Sequence, residues 1–187
     1  MKLLFNIIIG AIIFIFLLPV LLITAILIII VDQNNPIFIQ DRIGLKGKKI
    51  SVFKFRTLSV NENREKINVV KKNDKRITKL GKYLRLTNID ELPQLINVIR
   101  GDMNFIGPRP LALSQDKYYE INIKNWNKRY MVKPGITGLS QSLSLNGGDN
   151  LKKYKLINRL DLYYIRKKSL VLDFRILIKT IKTIIRF

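Results

Sequence analysis

From Leu3 to Val31 the chain carries no charged side chain, a run of 29 positions made almost wholly of Ile, Leu, Phe, Val and Ala. About 20 such residues suffice to cross the hydrocarbon layer of a bilayer as a helix. No other feature constrains the fold as much, because this run has to be covered by lipid or by protein. A cleaved secretory signal fits the flanks poorly: the run is too long, its basic start is Lys2 alone, and no small-x-small cleavage pattern follows. We therefore read residues 1–31 as a retained membrane segment and residues 32–187 as one domain. Pro19 lies near the middle of the run. Inside a helix it leaves the Ile15 carbonyl without its usual partner, and in lipid that carbonyl must be satisfied elsewhere. Two geometries follow, a kinked span and a re-entrant hairpin that enters and leaves on one face. Residue physics slightly favours the span, since proline is common in spanning helices.

Charge fixes the orientation. Only Lys2 precedes the segment; the remaining 33 Lys+Arg and all 13 Asp+Glu follow it, a net +20. Arg42, Lys46, Lys48 and Lys49 come soon after Val31, which places the domain on the cytoplasmic side of the membrane. Such a charge attracts anionic lipid head groups, nucleic acid or phosphorylated substrates. A plainer reading of part of it is lineage bias, since a chain rich in Lys, Ile and Asn is what AT-rich genomes tend to encode. The chain has no Cys, which excludes disulfides and thiolate chemistry. It has no His, which removes the commonest general base and zinc ligand. Catalysis must then use carboxylates, Lys, Arg, Tyr or hydroxyls, and a metal would be a hard, oxygen-bound one.

Patterning predicts an α+β domain, mainly helical. Ile37–Gln40 and Ile50–Leu58 read as strands able to pair as a hairpin across a turn at Arg42–Gly47. Asn61–Asn73 reads as a loop or surface helix. Ile77, Leu80, Tyr83 and Leu84 have helical spacing. A second helix is expected from about Asp90 to Arg100, with Leu92, Leu95, Ile96 and Ile99 on one face and Gly101 as its stop. Ser114–Tyr130 and Leu151–Tyr164 are further helix candidates, and Leu143–Asn150 is small and polar. In Leu170–Phe187 the cations Arg175, Lys179, Lys182 and Arg186 form one stripe on an otherwise apolar helix. Such a pattern suits an interfacial helix on anionic lipid better than a core helix with a solvated face.

Chemistry concentrates at Asp90-Glu91, two adjacent acids in a basic chain. One reading is a helix cap, with Asp90 at the N-cap, Glu91 in the first turn and Pro93 where no backbone N–H is needed; cap statistics favour it for an arbitrary protein. The other uses the same geometry: a helix N-terminus keeps Asp90 ionised, able to act as a nucleophile, while Glu91 holds Mg²⁺ or orients an acceptor. Arg85, Arg109 and Lys133 are the candidate phosphate clamps. With 34 basic residues any single one is more often surface charge, but Arg85 leads into the acid pair, and Arg109 and Lys133 sit in Pro/Gly loops that fix the backbone.

An ordered set of motifs goes further. Phe38-x-Gln40-x-Arg42-x-Gly44, Phe53-Lys54-Phe55-Arg56-Thr57, Arg85-x4-Asp90-Glu91-Leu92-x-Gln94-Leu95-x-Asn97-Val98, Gly101-Asp102-Met103-x-Phe105-x-Gly107-Pro108-Arg109-Pro110, Pro134-Gly135-Ile136-Thr137-Gly138 and Asp161-x-Tyr163-Tyr164 run from Phe38 onward. With the N-terminal segment, they make the chain resemble the bacterial sugar transferase family, the monotopic phosphoglycosyl transferases, in a minimal form without added domains. The resemblance implies a UDP-sugar donor, a polyprenyl (undecaprenyl) phosphate acceptor, UMP as leaving group and Mg²⁺ as cofactor. It implies that Asp90 forms a covalent phosphosugar adduct, that Glu91 assists, and that Asp90 and Glu91 hold the metal. It implies a re-entrant helix broken at Pro19, overruling the slight preference for a span, and a place in surface-glycan assembly at the bacterial inner membrane. Several positions depart from the family's usual pattern. Phe5-Asn6 stands where an acid is usual, Leu18-Pro19 replaces Ser-Pro, and Lys133 replaces an Arg. Leu139-Ser140-Gln141 stands where an aromatic often follows. Asn146-Gly147-Gly148-Asp149-Asn150 lacks an expected Arg, which bears on sugar choice.

The charge also admits a membrane-anchored nucleic-acid-binding protein, but no recognition motif supports it, and no nucleic-acid partner is expected. A catalytically retired scaffold is the other alternative; intact Asp90, Glu91, Arg85 and Arg109 argue against it.

Overall fold

One helix, α1 (Lys2–Asp32), takes up the whole apolar run, with Pro19 inside it on an exposed face. Among the described residues it is the one helix long and apolar enough to cross a membrane. The computed structural model describes residues 2–59, 74–145 and 150–185; Asn61–Asn73 and most of the Asn146–Asn150 segment lie outside them. At 31 residues α1 is about 46 Å long. It does not stand away from the domain. Asn6, Gly10, Phe14, Leu21, Ala25, Ile28 and Asp32 recur every three, four or seven residues and face protein along its length. Near its start Asn6 Nδ2 donates to Asn104 Oδ1 at 2.9 Å. At its end Asp32 Oδ2 accepts from Thr78 Oγ1 at 2.8 Å. The opposite face, including Phe5, Ile8, Ile12, Phe16, Ile23 and Ile30, is exposed.

The hairpin forms as expected, β1 (Ile37–Ile43) antiparallel to β2 (Lys49–Phe55), with Ile37 opposite Phe55 and Ile43 opposite Lys49. Its turn starts later than the sequence suggests, because β1 continues through Arg42; the reversal uses positive φ at Lys46 and Gly47. The pleat of β2 sends Val52 against Val98 and Met103, and Phe55 against Leu21, Ile28 and Leu84. α2 (Lys79–Leu86) is capped by Thr78, whose hydroxyl accepts from Gly81 N. Gly81 and Leu84 are its buried residues, whereas Tyr83, expected on the same face as Leu84, is 68% exposed.

The segment after α2 departs from the expected single helix. A 3-10 turn spans Ile89–Gln94, and only Leu95–Ile99 is α-helix (α3). Asn88, not Asp90, holds the cap position, in the left-handed region. Gly101 ends the segment at φ +77°, as its place predicts. The fully buried Asn97 ties α3 to β2: its Oδ1 accepts from Phe53 N at 3.1 Å and its Nδ2 donates to Ser51 O at 2.7 Å.

β3 (Asn104–Ile106) and β4 (Gly135–Thr137) pair in parallel, an arrangement the pattern did not indicate. Between them α4 covers only Leu113–Asn122, shorter than the expected Ser114–Tyr130, and a separate 3-10 turn covers Trp126–Met131. The break at positive-φ Asn125 lets Trp126 fold back onto Tyr119 and Tyr154, which stack at 3.9 Å. Truncating Trp126, 1% exposed, would cost about 3–5 kcal/mol. The short α5 (Leu139–Ser142) falls where the sequence pattern assigns no element. α6 (Leu151–Lys167) buries Tyr154, Ile157, Asn158, Asp161 and Tyr164, and Asn150 caps it. α7 (Leu170–Ile185) packs Ile176 inward and exposes Leu170, Val171, Phe174, Leu177, Ile178 and Ile181.

Candidate active site

The two Gly/Pro loops noted in the sequence meet beside the acid pair. Gly107 N donates to Thr137 O at 2.9 Å, Gly135 N to Pro108 O at 3.0 Å, and Asn104 N to Pro134 O at 2.8 Å. This approach requires glycine. A Cβ on Gly135 would sit 2.1 Å from Gly107 N, and one on Gly138 2.2 Å from Gly107 O. The loop so fixed carries Arg109.

Arg109 grips Glu91 with both prongs, Nη2 to Oε1 at 2.6 Å and Nη1 to Oε2 at 3.2 Å. Lys54 Nζ, from β2, donates to the same Oε1 at 2.7 Å. Burial opposes ionisation of Glu91, but the charges of Arg109 and Lys54 outweigh it and hold its carboxyl well below the usual range. Lys54 pays part of that: burial lowers its pKa to about 8, against the pull of Glu91.

Asp90 is different. It is buried, 8% exposed, and forms no ion pair among the described residues. Burial raises its pKa; Lys54 pulls it down, and neighbouring Glu91 pushes it up again. Arg85 donates through Nε to Thr57 Oγ1 at 2.8 Å and adds its charge to the surroundings of Asp90. Asp90, Glu91, Arg85 and Arg109 are thus assembled as the sequence suggested. Lys133 is not part of the cluster: it lies on the adjoining loop, half-buried, and its side chain has no partner among the described residues.

Lys54 lies inside the Phe53-Lys54-Phe55-Arg56-Thr57 motif, where the residue pattern alone gives it no role. Its signal was a lone cation between Phe53 and Phe55 on a strand, which the pleat turns to the face opposite theirs. Arg42, inside the Phe38-x-Gln40-x-Arg42-x-Gly44 motif, lies close enough for the charges of Arg109 and Glu91 to act on it. Counting Arg42, Lys54, Arg85 and Arg109 against Asp90 and Glu91, the site carries two positive charges in excess. Such an excess attracts anions, and one carboxylate within it, Asp90, stands outside any ion pair among the described residues.

The family model described as bacterial sugar transferase matches residues 1–187. The chain belongs to that family. It is 43% identical over 177 residues to a Klebsiella pneumoniae protein named UDP-glucose:undecaprenyl-phosphate glucose-1-phosphate transferase, covering 94% of this chain and 38% of that one. It is 37% identical to a Caulobacter vibrioides protein of the same name, covering 89% and 63%. It is 36% identical to the UDP-N-acetylgalactosamine-undecaprenyl-phosphate N-acetylgalactosaminephosphotransferase of Aeromonas hydrophila, covering 89% and 39%. The chain therefore spans well under half the length of two of these relatives.

Proposed function

We propose that this sugar transferase moves a sugar-1-phosphate from a UDP-sugar to a polyprenyl phosphate, with Asp90 as nucleophile. The observation that carries it is the contrast between the two acids: Glu91 is held by Arg109 and Lys54, whereas Asp90 is buried among the same cations with no ion pair among the described residues. An Asp90 carboxylate oxygen attacks the phosphorus that bears the sugar. The bond from that phosphorus to the oxygen bridging the diphosphate breaks, and UMP leaves with the electron pair. An oxygen of the lipid phosphate then attacks the same phosphorus, and the aspartyl–phosphorus bond breaks to restore the carboxylate. Arg85 and Arg109 neutralise the equatorial oxygens, which is most of what phosphoryl transfer asks of a protein.

The residues fit Mg²⁺ as cofactor. A carboxylate offers about four acceptor positions; Glu91 uses two on Oε1 and one on Oε2, which leaves one, and Asp90 has both oxygens outside any ion pair. Mg²⁺ commonly takes one or two carboxylates together with substrate phosphate oxygens, and when bound it supplies further neutralisation of the diphosphate.

α1 runs unbroken through Pro19, so the break expected there is not present. Both of its ends hydrogen-bond the one strongly basic domain, which supports the two ends lying on one face of the bilayer with the exposed apolar face of α1 in lipid. The exposed apolar stripe of α7, flanked by Arg175, Lys179 and Lys182, supports its lying on the anionic cytoplasmic leaflet. Charge reversal at these three positions should weaken sedimentation with anionic vesicles and leave neutral vesicles unaffected; no change would remove α7 from the membrane contact.

The deciding experiment measures UMP release by the protein in nanodiscs with Mg²⁺, undecaprenyl phosphate and a panel that includes UDP-glucose and UDP-N-acetylgalactosamine. Release that requires Asp90 and leaves a trappable phosphosugar adduct establishes the reaction. Release undiminished in Asp90→Asn would sink the nucleophile.

A further inference from the structure

The loop Gly107-Pro108-Arg109-Pro110 has a mechanical problem. Two of its residues are proline and donate no backbone N–H, so the loop around Arg109 can be held mainly through its carbonyls. Pro108 O accepts from Gly135 N. The next two carbonyls are each taken by a guanidinium: Arg129 Nη2 donates to Arg109 O at 2.9 Å, and Arg42 Nη1 donates to Pro110 O.

Both arginines are themselves fixed. Arg129 is 4% exposed; its Nε donates to Asp161 Oδ2 at 2.9 Å and its head group stacks on the Trp126 ring at 4.1 Å. Asp116 lies at 4.0 Å and is held in turn by Trp126 Nε1 and Tyr130 OH. Arg42 donates its other terminal nitrogen to Gln40 Oε1 at 2.8 Å. It forms no ion pair among the described residues, and burial, then the like charge of Arg109, lowers its pKa to about 10. A cation placed at such a cost, beside another cation and bonded only to neutral oxygens, is poorly explained as a stabilising contact.

Resting on the function proposed above, we infer that Arg42 and Arg129 are positioning residues: they clamp consecutive carbonyls of the Arg109-Pro110 loop and so hold the Arg109 fork on Glu91 and on the transferring phosphoryl group. Neither needs to touch substrate. Their effect passes through the main chain of Arg109, and small displacements of a positioned group cost up to about a hundredfold in rate.

The test uses Arg42→Lys and Arg129→Lys in the full chain in nanodiscs, with the UDP-sugar that the wild type turns over. Lysine keeps the charge, and keeps a partner for Asp161, but loses the planar fork. The UMP burst is recorded without acceptor. Its amplitude counts folded, loadable sites; its rate constant reports positioning. The expected result is a burst 10- to 100-fold slower with an amplitude within twofold of wild type, and less than a twofold further loss when either change is added to Arg109→Lys. A burst of reduced amplitude and unchanged rate constant, or losses that multiply with Arg109→Lys, would overturn the inference. If Arg129→Lys does not fold, Arg42→Lys decides alone, since its removal strands no buried acid. A wild type that releases no UMP refutes the proposed function instead. The clamp is then judged by thermal shift: the coupling between Arg109→Lys and Glu91→Gln should vanish in the Arg42→Lys background, and its persistence would refute the clamp.

Discussion

Arg109 and Glu91 are joined by two parallel hydrogen bonds, at 2.6 and 3.2 Å, across a sequence gap that brings a Pro/Gly loop onto a 3-10 turn. The pair is mostly enclosed, with side-chain exposures of 27% and 15%. Geometry of this kind is worth more than charge alone. Arg109→Lys should therefore lower kcat/KM for the UDP-sugar by about 10²-fold, the order associated with losing one preorganised donor. It should cost less than about 2 kcal/mol of stability, since Lys54 still neutralises Glu91. Steady-state kinetics and thermal melts check both; equal losses in the two would make Arg109 a structural residue.

Lys54 should set the alkaline limb of activity. Burial lowers its pKa to about 8, so as pH rises through about 8 the ammonium is lost and Glu91 keeps only Arg109. The rate of the UMP burst should fall through that region in the wild type, and the limb should move beyond pH 10 in Lys54→Arg, which stays charged. For folding the sign is opposite. The folded state releases this proton more readily than the unfolded chain, so the contribution of Lys54 to stability rises with pH between about 8 and the ordinary value of 10.5. A limb unmoved in Lys54→Arg would assign it to another group.

Asp90→Asn should abolish the adduct and leave the protein as stable as the wild type or more so. Burial and the adjacent Glu91 both penalise the ionised carboxylate, and asparagine removes that charge at nearly constant volume. A melting temperature equal or raised, together with no trapped adduct, is the expected pair of results. A melting temperature that falls by several degrees would mean that Asp90 serves the fold after all.

The absence of cysteine makes the membrane topology directly testable. Single cysteines at Lys2, the first residue of α1, and at Asn34, just past its end at Asp32, mark the two ends of the helix. With a re-entrant α1, a membrane-impermeant maleimide labels both from the cytoplasmic side in inverted vesicles, and neither in sealed right-side-out ones. Labelling of one site in each preparation would establish a span.

What sequence reveals here follows from the range of the interaction that carries it. The apolar run, the hairpin, the stop at Gly101 and the striped α7 are local patterns, and each forms close to where the residues place it. The acid pair and Arg109 were legible because proline and glycine mark their surroundings. The parallel pairing of Asn104–Ile106 with Gly135–Thr137 was not: three-residue strands carry no periodicity, and their partner lies some thirty residues away. The split of the expected Ser114–Tyr130 helix depends on Trp126 meeting Tyr154, which no window around Trp126 contains. The pairing of Arg129 with Asp161, the latter inside the Asp161-x-Tyr163-Tyr164 motif, is not legible for a related reason. A charged residue reads as solvated unless its partner is known, and these two, 4% and 1% exposed, find each other across 32 positions.

Gly81 gives a prediction whose sign runs against propensity. Within an exposed helix, replacing glycine by alanine stabilises by about 1 kcal/mol. Here α2 lies so close to the end of β2 that a Cβ on Gly81 would fall 2.3 Å from Thr57 O and 2.8 Å from Thr57 Cα, both backbone atoms. Thr57 O also accepts from Thr78 N at 3.1 Å, and Thr57 Oγ1 accepts from Arg85 Nε at 2.8 Å. Backbone cannot yield as a side-chain tip does, so α2 must withdraw and take Arg85 with it. Gly81→Ala should destabilise the protein by about 1–3 kcal/mol, the usual range for overpacking. It should also lower the burst rate beyond what the lost folded fraction explains. Thr57→Ser, which keeps the hydroxyl for Arg85, should do neither. A Gly81→Ala protein as stable and as active as wild type would show that the close approach of α2 to Thr57 is not what places Arg85.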